Sequence, residues 1–205
     1  MKTRVIMTGS SGWVDSAVQV LTQGGLVAFP TDTVYGLGAL VSNPLAIGKL
    51  YEVKGRDQTK AIPVLIGDLE DLDEVALELT GYALELTRRF WPGPLTLVVA
   101  KRPDLPDILS TTPTIGVRMP DHPDALDLLK ATGPLAVTSA NRSGGSNPLT
   151  AEEVFDQLSG SIPLVLDSGK CSGGNPSTVI DCTVSEPVIL RAGPITMDQI
   201  RAVTS

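Results

Sequence analysis

Three cations crowd one short stretch of this chain: KGRDQTK at 54–60 holds Lys54, Arg56 and Lys60. Charges so close repel one another unless an anion neutralises them, and a forked guanidinium beside a compact ammonium suits phosphate oxygens. By itself the stretch reads more readily as a solvated charged loop. TSANRSGG at 138–145 places Ser139, Asn141 and two glycines directly after an apolar run. That suits a ligand approaching backbone N–H groups closely, although it is also ordinary turn composition. Arg118 in IGVRMP and Arg191 in VILRAG are lone arginines at the ends of apolar runs. A buried guanidinium without a partner is costly, so an anionic ligand would account for either. An internal ion pair to Asp32, Asp167 or Asp181 is the competing account. FPTDTVYGLG at 29–38 adds two threonines, an aspartate, a tyrosine and two glycines at a strand exit, where it reads as a hydroxyl-rich turn.

Other chemistries find little support. There is no GxxxxGK[ST] loop and no GxGxxG fingerprint, so any nucleotide is bound without the two commonest phosphate motifs. His122 is the only histidine and sits in PDHP at a helix start, where a capping or surface role is expected. No GxSxG elbow accompanies it, which disfavours a Ser/His/Asp hydrolase. Cys171 and Cys182 form no CxxC pair and no Cys/His cluster, and are expected to be free thiols. A net charge of −7 argues against holding nucleic acid by overall electrostatics, while leaving room for a local basic groove. With no apolar window of about eighteen residues and no signal-like N-terminal run, a soluble cytoplasmic protein is expected.

At 205 residues and 42% hydrophobic the chain can bury one substantial core, and one domain over 1–205 is expected. Val14, Ala17, Val18 and Leu21 recur at helical spacing before Gly24-Gly25, and LVAF at 26–29 reads as a buried strand. Asn43-Pro44 opens a second helix that runs out near KGR. Strands are predicted at 62–66, 95–100, 114–119, 134–139, 163–167, 177–182 and 187–191. Helices are predicted over 68–79, 82–90 and 123–130, from a capping box at Thr150, and in ITMDQIRAV. The alternation gives an α/β domain with a mixed sheet, whose polar strand exits would converge on a ligand crevice.

The order of the motifs says more than any one of them. PTDTVYGLG, KGR, FWPGPLTLV, GVRMPDHP, TSANRSG, STVID and LRAG together resemble the YrdC/Sua5 family, the threonylcarbamoyl-AMP synthases, from about residue 14 to 195. The resemblance implies a twisted mixed sheet flanked by helices, with a concave ligand cleft. It also implies an enzyme that joins L-threonine, bicarbonate and ATP, with Mg2+, into threonylcarbamoyl-adenylate and pyrophosphate. A transferase complex downstream then modifies tRNA next to the anticodon. Carried over residue by residue, Lys54, Arg56, Ser139 and Asn141 would be the catalytic signature. Lys60, Thr114, Asn147 and Arg191 would join Lys54, Arg56 and Asn141 on ATP, and Thr31, Arg118, Ser139 and Ser177 would hold threonine.

The chain departs from the family at Asp57, after Arg56, and at Leu65, where some members place a threonine-contacting histidine. It ends soon after LRAG, as in the short bacterial form. Two rivals of similar fold are an RNA-binding or ribosome-maturation factor and the carbamoyl-transferring module of hydrogenase maturation proteins. The first is opposed by the acidic charge, the second by the absence of acylphosphatase and zinc-finger segments.

Overall fold

The computed structural model describes residues 1–79 and 81–204. In chain order the elements are β1 (Arg4–Met7), α1 (Trp13–Thr22), β2 (Val27–Phe29), β3 (Gly36–Leu40), α2 (Pro44–Lys54), β4 (Val64–Leu65), α3 (Leu72–Val75), α4 (Gly81–Phe90) and β5 (Leu95–Ala100). They continue as β6 (Thr114–Arg118), α5 (Pro123–Thr132), β7 (Leu135–Ser139), α6 (Ala151–Leu158), β8 (Leu164–Asp167), β9 (Thr178–Asp181), β10 (Val188–Arg191) and α7 (Met197–Thr204). The strands form one ten-stranded mixed sheet in the order β1-β8-β2-β3-β7-β4-β6-β5-β9-β10.

Strand alternation divides the core in two. Ala28, Leu37, Leu97, Val117, Val165 and Ile180 point to one face, where they pack with Ile47 and Leu50 of α2, Leu86 of α4, Val154 of α6 and Ile200 of α7. Val27, Phe29, Leu135, Val137, Leu164 and Leu166 point to the other, against Ala17 and Leu21 of α1 and Leu128 and Leu129 of α5. Those two helices cover one side of that second face, from β8 across to Leu135 of β7 and Leu65 of β4. On β6, β5 and β9 the same face presents Gly116, Arg118, Thr96, Val98 and Val179, and these line a cleft to which no helical residue contributes.

Local signals act as anticipated at two helix starts. Asn43 caps α2 by accepting from the Ala46 N–H at 3.0 Å, and Gly55 closes that helix at a left-handed φ of 58°. Thr150 caps α6 through the Glu153 N–H at 3.2 Å, while the Glu153 carboxylate reaches back to the Leu149 N–H at 2.6 Å.

Three expectations are corrected. The strand predicted at 62–66 is only Val64–Leu65. The helix predicted over 68–79 shrinks to Leu72–Val75. Asp71 engages its carboxylate with the Gly67 and Asp68 N–H groups at 2.9 and 3.0 Å, and Leu77 N–H bonds Ala100 O at 2.9 Å, drawing the chain alongside the end of β5. Third, YGLG is not a turn: Gly36–Leu40 is the strand β3, antiparallel to both β2 and β7. Its glycines serve close approach, since a Cβ on Gly36 would lie 2.7 Å from Val137 Cγ1 and one on Gly38 2.9 Å from Phe29 Cε1. β1 was not anticipated, because its mostly exposed residues carry no burial pattern.

Gly36→Ala is therefore expected to overpack the β3–β7 contact and cost about 1–3 kcal/mol. Urea unfolding should show a lower midpoint with an unchanged m-value.

Candidate active site

The cleft has a volume of about 310 Å³ and lies across the open sheet face rather than only beyond strand ends. Its floor is apolar: Pro63, Leu65, Val98, Val137 and Val179, with Gly36 and Gly116 leaving space where side chains would stand. A Cβ on Gly116 would meet Thr96 Cγ2 at 3.1 Å and Pro63 Cβ at 3.2 Å. Around this floor stand Thr31, Thr33, Arg56, Thr96, Arg118, Thr138, Ser139, Asn147, Ser177 and Arg191.

Arg118 ends β6 with 6% exposure. Its Nε donates to Gly93 O at 3.0 Å, Nη1 to Thr33 Oγ1 at 3.0 Å, and Nη2 to Asp32 Oδ1. The internal ion pair to Asp32 is thus present, yet the guanidinium still lines the cleft and three bonds leave two of its five N–H groups. Thr33 is braced by Thr31, whose Oγ1 lies 3.0 Å away and donates to Val34 O at 2.7 Å. Thr31 also accepts from the Thr33 and Val34 N–H groups, so its hydroxyl is engaged in shaping the loop. Tyr35 packs beneath, fully buried, donating to Gly169 O at 2.8 Å, and burial raises its phenol well above the usual range.

Arg191 reaches the cleft through a backbone irregularity. Ile189 pairs with Ile180 but Arg191 pairs with Val179, so the extra residue between them turns Arg191 to the cleft face. Simple alternation from Ile189 would have sent it to the helix-covered side. Arg191 donates to Ser177 O through Nε at 3.1 Å and Nη2 at 2.8 Å, and to Ser177 Oγ at 3.1 Å. Ser177 Oγ shares a hydrogen bond with Thr96 Oγ1 at 2.8 Å. Arg56 approaches from the loop after α2, with Nη2 donating to Ala61 O at 2.9 Å. Burial lowers the pKa of all three arginines; in Arg191 the positive charges of Arg118 and Arg56 add to it. Among the described residues neither Arg56 nor Arg191 has an ion pair.

The other anticipated residues divide. Ser139 and Asn147 line the cleft, and the Ser139 hydroxyl has no protein partner among the described residues. Lys54, Asn141, Lys60 and Thr114 do not line it. Lys54, 4% exposed, ends α2 and donates to Ser139 O, Asn141 O and, at 3.5 Å, Asn141 Oδ1. The Asn141 amide donates to Arg142 O and Gly145 O, both at 2.8 Å. The two residues lock the turn after β7. Lys60 is exposed, and Thr114 joins a hydroxyl chain with Thr112 at 2.9 Å. Sequence reasoning missed Thr33 and Thr96, which sit inside quoted motifs but look like ordinary strand or turn residues until their partners are known. Cys171 and Cys182 are buried free thiols, and burial pushes Cys182 up to about 12. Among the described residues no group of three or more His, Cys, Asp or Glu is placed to hold a metal.

The sequence profile of the Sua5/YciO/YrdC family, described as telomere recombination, matches residues 19–193. This chain belongs to that family. Threonylcarbamoyl-AMP synthase of Bacillus subtilis is 42% identical over 193 residues, 93% of this chain and 56% of that protein. A putative threonylcarbamoyl-AMP synthase of Mycobacterium tuberculosis is 40% identical over 189 residues, 92% of this chain and 87% of that one. The crystal structure of P. abyssi Sua5 complexed with L-threonine superposes with a TM-score of 0.94 at 37% identity, over 99% of this chain and 61% of that one. This family member thus spans little more than half the length of some of the relatives it matches.

The buried ammonium of Lys54 gives the site a pH signature. Burial first, then Arg56, lowers its pKa from 10.5 to about 8. Between those values the unfolded chain binds more protons than the folded one, so this group makes stability rise with pH, by up to about 1.4 kcal/mol per unit. The stability difference between wild type and Lys54→Met, from urea unfolding at intervals between pH 8 and pH 10, is expected to shift in favour of wild type as pH rises.

Proposed function

We propose that this chain is a threonylcarbamoyl-AMP synthase, forming threonylcarbamoyl-adenylate and pyrophosphate from L-threonine, bicarbonate and ATP. The observation that carries the proposal is one cleft lined by three arginines in two different electrical states. Arg56 and Arg191 converge there without carboxylate partners, while Arg118 stands among Thr31 and Thr33 with its charge matched by Asp32. Unmatched guanidiniums suit a polyphosphate, and a partly engaged one with two N–H groups to offer suits the carboxylate of an amino acid. The named relatives and the threonine-bound P. abyssi structure support the same assignment of substrates.

In this mechanism the threonine amine adds to CO2 drawn from bicarbonate, giving a carbamate. A carbamate oxygen then attacks the α-phosphorus of ATP, and pyrophosphate leaves as the P–O bond to it breaks. No protein nucleophile is required. Arg118, Ser139 and Ser177 would orient threonine, and Arg56, Arg191 and Asn147 would receive ATP and the charge that develops on its phosphates. Lys54 and Asn141 act from behind, by fixing the turn that carries Ser139. Leu65 lines the floor, so the donor that a histidine there would supply is replaced by an apolar contact. The described residues do not make a protein-held Mg2+ site, since Asp32 is engaged by Arg118 and no acidic cluster accompanies it. A magnesium ion carried on ATP's own phosphates needs no such cluster. The product would pass to a transferase acting on tRNA in the cytoplasm.

The test is pyrophosphate release by the purified protein with each substrate omitted in turn and serine replacing threonine. Release that requires threonine and bicarbonate, and falls with serine, is expected; its absence from folded protein with Mg2+ supplied would reject the proposal. Arg56→Ala and Arg191→Ala should each lower kcat/KM for ATP by about 2–4 kcal/mol of transition-state stabilisation, as lost charge-stabilising donors do.

A further inference from the structure

We infer that Asp32 decides which anion each arginine of the cleft accepts: it offsets the charge of Arg118, so that this guanidinium takes a single carboxylate in preference to polyphosphate, while the unpaired Arg56 and Arg191 attract polyphosphate. The inference rests on the synthase reading and assigns a positioning and selectivity role to a residue that does not itself line the cleft.

Its basis is an asymmetry among the three arginines. The Arg118–Asp32 pair is the one ion pair among the described residues that reaches the cleft, and its side chains are 7% and 12% exposed. The remaining pairs all include a partner at least half exposed and stand away from the site. A pair so enclosed is little screened by salt, and its two charges cancel for a ligand approaching from the cleft. Asp32 is also held from a second side, because its Oδ1 accepts the Asp121 N–H at 3.1 Å. The carboxylate therefore bridges the β2–β3 loop, the end of β6 and the loop leading to α5. Arg118 is left able to donate two hydrogen bonds without offering net charge. A zwitterionic amino acid, with a single carboxylate, meets that offer; a triphosphate with several negative charges gains far more at Arg56 and Arg191.

Asp32→Asn separates charge from geometry, because the amide oxygen can still accept from Arg118 and from Asp121. The probe is inorganic tripolyphosphate, used as an inhibitor of pyrophosphate release with threonine and ATP varied in turn. In wild type it should compete with ATP and not with threonine. In Asp32→Asn it should compete with threonine as well, with an inhibition constant against threonine lower by at least about tenfold, a modest demand on an unmatched charge in a partly buried site. Asp32→Ala, which removes the oxygen too, should raise KM for threonine further than Asp32→Asn does while leaving KM for ATP little changed. An Asp32→Asn enzyme with the wild-type inhibition pattern and wild-type KM values would overturn the inference. Wild-type protein with no threonine-dependent release would instead overturn the synthase reading on which it stands, so the two failures are told apart. If Asp32→Ala fails to fold, the comparison of Asp32→Asn with wild type alone carries the test.

Discussion

Guanidinium groups set against an apolar sheet face are the constraint from which much of this structure follows. Taking a charge out of water costs several kcal/mol unless hydrogen bonds and counter-charge return it. Arg118 receives the most, three acceptors that include the carboxylate of Asp32, with Gly93 O and Thr33 Oγ1. Arg191 receives only the oxygens of Ser177, and Arg56 only backbone carbonyls. The fold thus keeps two cations of one cleft without a carboxylate partner among the described residues, and a polyanion would complete them. That local arrangement coexists with a net charge of −7, which bears on long-range attraction to nucleic acid and not on a site of this size. The net charge and the relatives named as threonylcarbamoyl-AMP synthases do not favour the RNA-binding alternative.

The scaffold is arranged to leave room for those charges. Two helices, α1 and α5, cover one side of one face, and the cleft opens beside them on the same face, with Leu65 and Val137 at the boundary. Glycines at 36 and 116 deepen it where any side chain would fill it or collide with Val137, Thr96 or Pro63. The opposite face is covered by α2, α4, α6 and α7, and this side carries the larger core. Stability and ligand space are thereby assigned to opposite sides of one sheet, so the open side need not be packed to hold the fold.

The α/β class, most strand positions and the helix starts were legible because they rest on local chemistry: periodicity, the Asn43 and Thr150 caps, and the glycine at 55. The acidic segment after β4 misled because its helical periodicity competes with Asp71 bonding its own backbone and with the pull of Ala100 on Leu77. The glycines of YGLG misled because permissive backbone and close approach look alike in sequence, and only the position of Val137 separates them. For the site, motif order brought Arg56, Ser139, Ser177 and Arg191 to notice, and they do share one cleft. The inversion of Arg191 could not be read from VILRAG, since it depends on a register step against β9.

The KGR stretch shows how far residue type alone can carry an assignment. A lysine two residues from an arginine suggests two phosphate ligands, yet the helix end at Gly55 sends the two side chains to different places. Arg56 lies beyond the cap and reaches the cleft, whereas Lys54 lies in the last turn and is buried. Its three N–H groups match three oxygens of the turn after β7, and an ammonium has no fourth to give. For Lys54 to bind phosphate directly, at least one of those bonds would have to break, and the turn presenting Ser139 would loosen as it did so. On the proposed reading Lys54 would therefore act on threonine through Ser139, and Arg56, beyond the cap, would be the cation that meets the phosphates.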